Sequence, residues 1–230
     1  MHRMSSGRFR PINRHASLCL CGALLLGGAA SARAGQALDA AVKAEQAKLK
    51  APAVSVAIME KGRIVYAGAF GTADVENGVI ATPETRFRTA SIAKTMTATA
   101  VLQLHERGDL DLDAPIQTYC SAFPQKPWPV TARQLLGHQA GVRHYVKPGE
   151  SSGTQHFFTV TDSLQLFAND PLLFEPGTKY SYTTYGFSVL GCAIEGVTKM
   201  AYADYMRTRI FEPAAMTHTC LLYTSDAADE

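Results

Sequence analysis

The chain has 230 residues, of which 22 are Lys or Arg, 20 are Asp or Glu and 47% are hydrophobic. This hydrophobic content is ample for a buried core, and the length predicts one domain or one domain with a subdomain. The basic residues form no stripe along the chain, so we expect no nucleic-acid partner.

Residues 1–34 have the pattern of a secretory signal peptide. A basic segment with four arginines comes first, an apolar stretch over residues 16–30 follows, and Ala32-Arg33-Ala34 supplies the small residues of a cleavage site. The apolar stretch is too short to span a membrane stably. The sequence therefore predicts a periplasmic or secreted bacterial protein with no stable membrane span after cleavage. An uncleaved membrane anchor is the alternative.

In chain order, the first predicted elements are a helix and a hairpin. Residues 36–50 are rich in Ala, Lys and Glu with apolar spacing, which predicts a helix. Residues 53–60 and 63–70 are β-branched segments divided by Lys61-Gly62, which predicts the first two strands of an antiparallel sheet. Residues 71–88 carry Gly, Asn, Pro and Thr and are interpreted as a loop.

The later elements are predicted to be helical. A helix rich in Ala, Leu and Met starts at Ser91 and ends near Gly108. We predict four further helices, at residues 131–137, 161–169, 185–199 and 201–210. The short helices in the middle of the chain predict an all-helical subdomain, inserted into an α+β fold in which helices flank an antiparallel sheet.

Ser91 and Lys94 are candidate catalytic residues at the start of a predicted helix. Residues three apart lie on one helix face, so the lysine amine can reach the serine hydroxyl, which is a weak nucleophile until a base takes its proton. The helix N-terminus adds N–H groups and partial positive charge where an oxyanion would develop. Ser-x-x-Lys should occur about once by chance in a chain of this length, however. An N-cap serine beside a surface lysine is the alternative.

Tyr182 is the third candidate, because it lies in a bend that follows Pro176-Gly177 and precedes the helix predicted to begin at Tyr185. A side chain in such a bend can point into a cleft. A purely structural tyrosine is the alternative.

The cysteines and histidines carry less information. Pairing of Cys120 with Cys192 stays open, because sequence spacing does not bring two cysteines together.

The histidine spacing bears on metal binding. His138 and His144 are six residues apart across Gly141, which is not a helical ligand pair, and there is no H-E-x-x-H motif. The sequence predicts no metal site and no cofactor.

Three ordered blocks together resemble the beta-lactamase-related serine hydrolases, a group with class C beta-lactamases, D-alanyl-D-alanine carboxypeptidases and related esterases. The blocks are Ser91-x-x-Lys94, residues 135–142 (LLGHQAGV) and residues 176–191, which hold Tyr182-Thr183-Thr184. Residues 141–145 (GVRHY) and 169–172 (NDPL) look most like the branch of the mitochondrial beta-lactamase-like serine protease. The resemblance covers about residues 51–219.

The resemblance implies a beta-lactamase/transpeptidase-like fold and an acyl-enzyme mechanism on an amide or ester bond. Ser91 would be acylated, Lys94 would activate it, and Tyr182 would pass a proton to the leaving group. Which of Lys94 and Tyr182 accepts the first proton is open. The partner would be a small-molecule or peptide substrate (a peptide, a beta-lactam or an ester), and we expect His138 to hold its loop rather than to take part in the chemistry.

The chain departs from the family pattern at two places. Thr184 stands where many members have the Asn of a Tyr-x-Asn motif, so we expect it to contact substrate but to offer less to an amide than Asn would. In addition, no Lys-Thr-Gly or His-Thr-Gly follows. In the family, that motif lies on a strand beside the site, and a strand there also supplies the second oxyanion N–H.

Residues 220–230 resemble a translated sequencing adapter, and a natural acidic tail is the alternative. We therefore expect the native sequence to end at Thr219, residues 35–219 to form a partial domain without its C-terminal strands, and this chain to be an inactive fragment of an active parent. A non-catalytic peptidoglycan-binding or self-assembling protein on the same fold is the alternative function. The sequence does not predict an oligomeric state.

Overall fold

The computed structural model of the chain describes residues 35–151 and 155–221. The predicted signal peptide at residues 1–34 lies outside the described residues, as does the part of the predicted adapter-derived tail from residue 222 onward. The described chain divides into two compact units, and the boundary between them falls between Thr85 and Arg86.

The first unit consists of a helix and a three-stranded antiparallel sheet. Helix α1 covers residues 35–49, and the strands, in the spatial order β1-β2-β3, are β1 (Ala53–Glu60), β2 (Arg63–Asp74) and β3 (Val79–Ile80). Lys61 and Gly62 both have positive φ, as a tight hairpin turn requires. The predicted helix and hairpin are confirmed.

The prediction of a loop over residues 71–88 is wrong for its first part. Strand β2 continues to Asp74, and the chain then turns back so that Thr72 pairs with Ile80 of β3. The Asp74 carboxylate fixes this turn, because it accepts hydrogen bonds from the backbone and the side chain of Asn77. A strand of two residues is too short to show the alternating pattern from which strands are predicted.

Polar and cation–π contacts join α1 to this sheet. The Tyr66 hydroxyl donates a 2.7 Å hydrogen bond to Asp39, and the Lys43 ammonium lies 4.9 Å from the centre of the Phe70 ring. No described residue of this unit covers the face of the sheet opposite α1, and Val65 on that face is 57% exposed. Within the three described strands no residue is buried.

The second unit is helical in all its longer elements. A 3₁₀ turn (Ala90–Ile92) precedes α2 (Ala93–Glu106), and the later helices are α3 (Ala132–Leu136), α4 (Tyr185–Thr198) and α5 (Tyr202–Met206), with a π-helical turn at Arg207–Phe211. The helix predicted at residues 161–169 is a 3₁₀ segment, Thr161–Leu166. Among the described residues, no helix is long and apolar enough to cross a membrane.

Helices α2 and α4 pack together in the core of the second unit. Their apolar residues recur every three or four positions, so that each helix buries one stripe: Ala100, Val101 and Leu104 on α2, and Val189, Leu190, Ala193 and Ile194 on α4. Arg86 and later residues supply the whole of this core cluster. The packing brings the N-terminus of α4 beside the first turn of α2.

A disulfide between Cys120 and Cys192 attaches an irregular segment to α4, and this answers the pairing question that the sequence left open. The two Cα atoms are 5.4 Å apart, and both cysteines are buried. Gly196 lies one turn further along α4, where a Cβ atom would come within 1.8 Å of the Tyr119 carbonyl oxygen. The close approach of the segment to the helix therefore requires glycine at this position.

Candidate active site

Ser91 lies in the 3₁₀ turn that leads into α2, and Lys94 lies in the first turn of that helix. The two side chains are in contact as predicted: Lys94 Nζ donates a 3.2 Å hydrogen bond to Ser91 Oγ. Ala90, immediately before the serine, has φ 45°, which is left-handed backbone that few residues other than glycine adopt. Ser91 is exposed and Lys94 is half-buried.

Tyr182 reaches the same serine from a distant part of the chain. Its hydroxyl donates a 2.6 Å hydrogen bond to Ser91 Oγ, and the Lys94 ammonium lies 5.0 Å from the centre of its ring. Lys94, and to a smaller extent Ser91, lower the pKa of the Tyr182 hydroxyl below its usual value. The site therefore favours the phenolate of Tyr182 more than water does.

Thr184 completes the group of predicted residues. Lys94 Nζ donates a 3.1 Å hydrogen bond to Thr184 Oγ1, so that one ammonium bridges the serine and the threonine. Thr184 directly precedes α4, and its position follows from the packing of α4 on α2. The structure thus brings all four residues predicted from sequence, Ser91, Lys94, Tyr182 and Thr184, into one group.

His138 holds the segment that carries the tyrosine. Its Nδ1 accepts a 3.2 Å hydrogen bond from the backbone N–H of Thr183, and its carbonyl accepts one from the N–H of Ser181. The imidazole also lies against Tyr182, with 4.5 Å between ring centres. His138 has φ 56°, and these contacts compensate for the unfavourable backbone conformation.

His144 has a matching contact that the sequence analysis missed. Its Nδ1 accepts a 3.3 Å hydrogen bond from the backbone N–H of Thr184. Its ring meets the edge of Tyr182 at 5.5 Å and stacks on Tyr145 at 4.4 Å. The contact could not be predicted, because a side chain that binds a backbone amide 40 residues away leaves no pattern in the sequence.

Burial and nearby positive charge keep both imidazoles neutral. Burial, followed by the charge of Lys94, lowers the pKa of His138 and of His144 below the usual value. An Nδ1 atom that accepts a hydrogen bond must be unprotonated. The electrostatic environment therefore favours the same ionisation state as the hydrogen bonds.

Gly141 allows the loop of His138 and His144 to approach the segment before the tyrosine. It has φ 73°, and a Cβ atom there would come within 2.5 Å of the Phe174 carbonyl oxygen. Its own carbonyl accepts a 2.8 Å hydrogen bond from the N–H of Leu173. Any other residue would push the two segments apart.

Arg143 fixes the loop that carries His138 and His144 through ion pairs. Its buried guanidinium donates to both oxygens of Glu150, at 2.9 and 3.0 Å, and to Asp170 at 2.5 Å. The pairing with Arg143 lowers the pKa of Glu150 to about 2. The Arg143 carbonyl in turn accepts a 2.7 Å hydrogen bond from the buried hydroxyl of Thr183. The ion-pair network is thereby connected to the tyrosine segment.

The arrangement can support nucleophilic chemistry at Ser91. A nucleophilic serine needs an adjacent group that takes its proton, and two candidates for that role lie within hydrogen-bond distance. No group of three or more His, Cys, Asp or Glu side chains that could hold a metal ion occurs in residues 35–151 and 155–221.

Comparison with known proteins extends these observations. The human mitochondrial serine beta-lactamase-like protein LACTB is 30% identical over 237 residues, an alignment that covers 74% of this chain and 43% of that protein. The octameric penicillin-binding protein homologue from Pyrococcus abyssi is similar in structure, with a TM-score of 0.69, 30% identity and coverage of 79% of this chain and 43% of that one. A D-stereospecific amidohydrolase from Streptomyces sp. gives a TM-score of 0.60 at 25% identity, with 72% and 50% covered.

The chain thus spans half or less of the length of these relatives. The family described as Beta-lactamase matches residues 38–227, which is most of the chain and includes both units. The human relative agrees with the branch to which the sequence blocks pointed. The chain belongs to the beta-lactamase family.

Proposed function

We propose that this chain carries the nucleophile and proton relay of a serine hydrolase that forms an acyl-enzyme with an amide or ester substrate. The observation that supports this most directly is the convergence on Ser91 Oγ of Lys94 Nζ at 3.2 Å and the Tyr182 hydroxyl at 2.6 Å. A solvent-facing cap serine has no need of two such partners. Family membership supports the same reaction class.

In the proposed reaction Ser91 Oγ attacks the substrate carbonyl carbon while its proton passes to Tyr182 or Lys94. Ser91 accepts a hydrogen bond from each of them in the structure, so one of the two must first lose a proton. Tyr182 suits this role because hydrogen bonding with Lys94, and to a smaller extent with Ser91, lowers the pKa of its hydroxyl. When the tetrahedral intermediate collapses, the same proton passes to the leaving amine or alcohol, and water then releases the acyl group.

We propose that Thr184 orients Lys94 and meets the substrate beside the scissile bond. Its Oγ1 accepts from Lys94 Nζ, which keeps the amine near Ser91. The hydroxyl proton of Thr184 is then available to a substrate oxygen. Peptides, beta-lactams and esters all remain in the proposed substrate class, and one of the structural relatives described above is an amidohydrolase.

We also propose that the protein acts after export, in a periplasm or outside the cell. The signal-peptide pattern of residues 1–34 motivates this proposal. The disulfide between Cys120 and Cys192 supports it, because such bonds persist mainly in oxidising compartments. Cell fractionation with an epitope tag tests it, and recovery of the full-length precursor in the cytosol contradicts it.

The chemical proposal is tested by covalent labelling with a fluorescent fluorophosphonate and a fluorescent penicillin. Because the chain spans half or less of its relatives, we propose that full activity belongs to a protein of their length and that the 230-residue chain alone is inactive. Labelling is therefore measured on the 230-residue chain and on the longer protein. The sequence of the longer protein is determined from genomic DNA without an adapter-ligated library. Ser91→Ala is the control, and we expect it to abolish labelling.

Two results would count against the proposal. Absence of a Ser91-dependent adduct with either reagent in both proteins removes the nucleophile. Binding of peptidoglycan fragments that is equal in Ser91→Ala, without ester turnover, favours a non-catalytic binding protein instead.

A further inference from the structure

We propose that His144 is a positioning residue of this site, whose neutral imidazole holds the backbone N–H of Thr184 and thereby keeps Tyr182 and Thr184 in register with Ser91 and Lys94. The catalytic consequence rests on the proposed hydrolase function. The contact of His144 with Thr184 does not, and it can be tested without any reaction.

The need for such an acceptor follows from the place of Thr184 in the chain. Helix α4 begins at Tyr185, so the N–H of Thr184 precedes the helix and has no carbonyl partner within it. His144 Nδ1 accepts this N–H at 3.3 Å. Without the imidazole, the half-buried N–H of Thr184 loses its acceptor. Thr184, which accepts from Lys94, is then no longer held in position.

The two histidines act on successive residues of the tyrosine segment. His138 holds the N–H of Thr183 and His144 holds the N–H of Thr184. The Tyr182 ring contacts both imidazoles, with its centre 4.5 Å from that of His138 and 5.5 Å from that of His144. Backbone and ring are thus fixed together, which determines where the Tyr182 hydroxyl meets Ser91.

The ring and the backbone of His144 are themselves held in place. Tyr145 stacks on the imidazole at 4.4 Å, and its own ring meets the edge of Tyr185 at 5.0 Å. The Arg143 guanidinium donates a 2.9 Å hydrogen bond to the His144 carbonyl. This support from several sides is what a side chain with a positioning role requires.

Only the neutral form of His144 can perform this role. On protonation, Nδ1 becomes a donor that faces the N–H donor of Thr184. The charged and titratable groups around the imidazole are Lys94 from α2, Tyr182 from the tyrosine segment, His138 from the turn after α3, and Arg143 and Tyr145 from its own loop. Burial of the imidazole, followed by the charge of Lys94, lowers the pKa of His144 and so favours the neutral form.

The test compares His144→Asn with His144→Phe. The amide oxygen of Asn can occupy the place of Nδ1 and accept the N–H without titrating, whereas Phe keeps a ring but offers no acceptor. The exposed His218 provides the control His218→Asn, which removes a histidine elsewhere in the unit. The first readout is the NMR signal and hydrogen-exchange rate of the Thr184 amide from pH 5 to pH 8. The second is the rate of Ser91 labelling by a fluorophosphonate over the same range, in whichever protein labels.

We expect the Thr184 amide signal of the natural protein to titrate with His144 and that of His144→Asn to be insensitive to pH. In His144→Phe the amide should exchange about tenfold faster and labelling should slow about tenfold, as loss of one hydrogen bond implies. His144→Asn should keep most of the labelling rate at pH 7.5 and should lose less of it on acidification. His218→Asn should match the natural protein.

An unchanged Thr184 amide in His144→Phe overturns the inference, as does labelling of His144→Asn that is as slow as that of His144→Phe. If His144→Phe does not fold, the pH profile of His144→Asn decides alone, and an acid loss equal to that of the natural protein overturns the inference. Absence of labelling in the natural protein would instead reject the hydrolase function and the catalytic part of the inference. The Thr184 amide would still decide whether His144 holds it.

Discussion

Ser91 Oγ accepts hydrogen bonds from Lys94 and Tyr182, so the resting site holds a proton that must leave before attack. Removal of the Tyr182 hydroxyl is therefore the most direct test of the proton relay. Tyr182→Phe keeps the ring contacts with His138 and His144 and deletes only the hydroxyl. In whichever of the two proteins labels, we expect labelling of Ser91 to slow by about 10²–10⁴-fold, the usual contribution of a general acid–base group, with the unfolding midpoint unchanged.

The matched control for this prediction is Tyr180→Phe. Tyr180 is exposed, and its ring touches the edge of His138 at 5.9 Å. We expect its variant to label at the natural rate. Equal rates for the two variants would remove Tyr182 from the proton relay.

Thr184 gives a second prediction at this scale. Thr184→Val keeps the shape of the side chain but removes the oxygen that accepts from Lys94 Nζ at 3.1 Å. A hydrogen bond to a charged group contributes about 1.5–3 kcal/mol, so we expect labelling to slow by about 10- to 100-fold. Thr184→Ser keeps the hydroxyl and should stay close to the natural rate. A Val variant as fast as the Ser variant would show that the threonine oxygen does not orient the lysine.

The residues of the site differ in how far sequence could predict them. Ser91 and Lys94 are near in sequence, so their contact follows from helical spacing, and Tyr182 and Thr184 were found through the family pattern. His144 was missed because its partner is a backbone N–H, and any residue at position 184 except proline would supply that group. Sequence patterns of side chains cannot show such a contact.

At the scale of elements, the loop from Arg143 to Glu150 is held by charge. Glu150 is ionised in the fold with a pKa of about 2, against an ordinary value of 4.5. As the pH falls below 4.5 the unfolded chain takes up this proton first, so the stabilisation is complete above pH 4.5 and is lost as the pH falls toward 2.

We therefore expect Glu150→Gln to be less stable than the natural protein at pH 7 and to lose less further stability between pH 4.5 and pH 2. Urea unfolding at a series of pH values measures this difference. The exposed Glu175 supplies the control Glu175→Gln, which should follow the natural protein throughout. Parallel curves for natural protein and Glu150→Gln would contradict the prediction.

The disulfide provides a second prediction at the element scale. It joins residues 72 apart, and a crosslink over a loop of this length stabilises a fold by about 4 kcal/mol in the chain-entropy account. We expect the double variant Cys120→Ala, Cys192→Ala to be less stable by about this amount in urea unfolding. Cys220→Ala, at an exposed free cysteine, should leave stability unchanged. A double variant as stable as the natural protein would show that packing alone holds the segment on α4.

The elements themselves were predicted unevenly. The hairpin of β1 and β2 and the long helices α2 and α4 have enough residues to show a period, and sequence located them well. Strand β3 has two residues, and the 3₁₀ segment Thr161–Leu166 is held by Glu195, which accepts from the backbone of Val160 and Thr161 at 3.1 and 3.0 Å. Long-range contacts of this kind decide short elements.

For the whole molecule, the two units differ in burial. The second unit encloses a continuous core, whereas the open face of the sheet in the first unit leaves Val65 exposed. Exposed apolar sheet surface promotes association. We expect the 230-residue chain to associate as its concentration rises, which sedimentation velocity measures.

The sharper test of this expectation is a pair of lysine substitutions. Val65→Lys places a charge on the open face and should weaken association. Val75→Lys introduces the same charge at an exposed valine in the turn after β2, and should have little effect. A natural chain that stays monomeric at every concentration would contradict the prediction.

The crosslink between Cys120 and Cys192 also bears on the order of events during folding. Ser91 must meet Tyr182 across 91 residues, and Lys94 must meet Thr184 across 90. Cys120 lies between the two members of each pair in sequence, and Cys192 lies a few residues after Thr184. Their bond therefore bypasses more than half of the chain that separates Ser91 from Tyr182. Closure entropy depends on the logarithm of loop length, so shortening the separating chain about twofold lowers the cost of bringing the two halves of the site together by about 0.6 kcal/mol. Oxidation therefore does more than stabilise the finished fold: a chain oxidised early has the ends of its site tethered before α2 and α4 have packed.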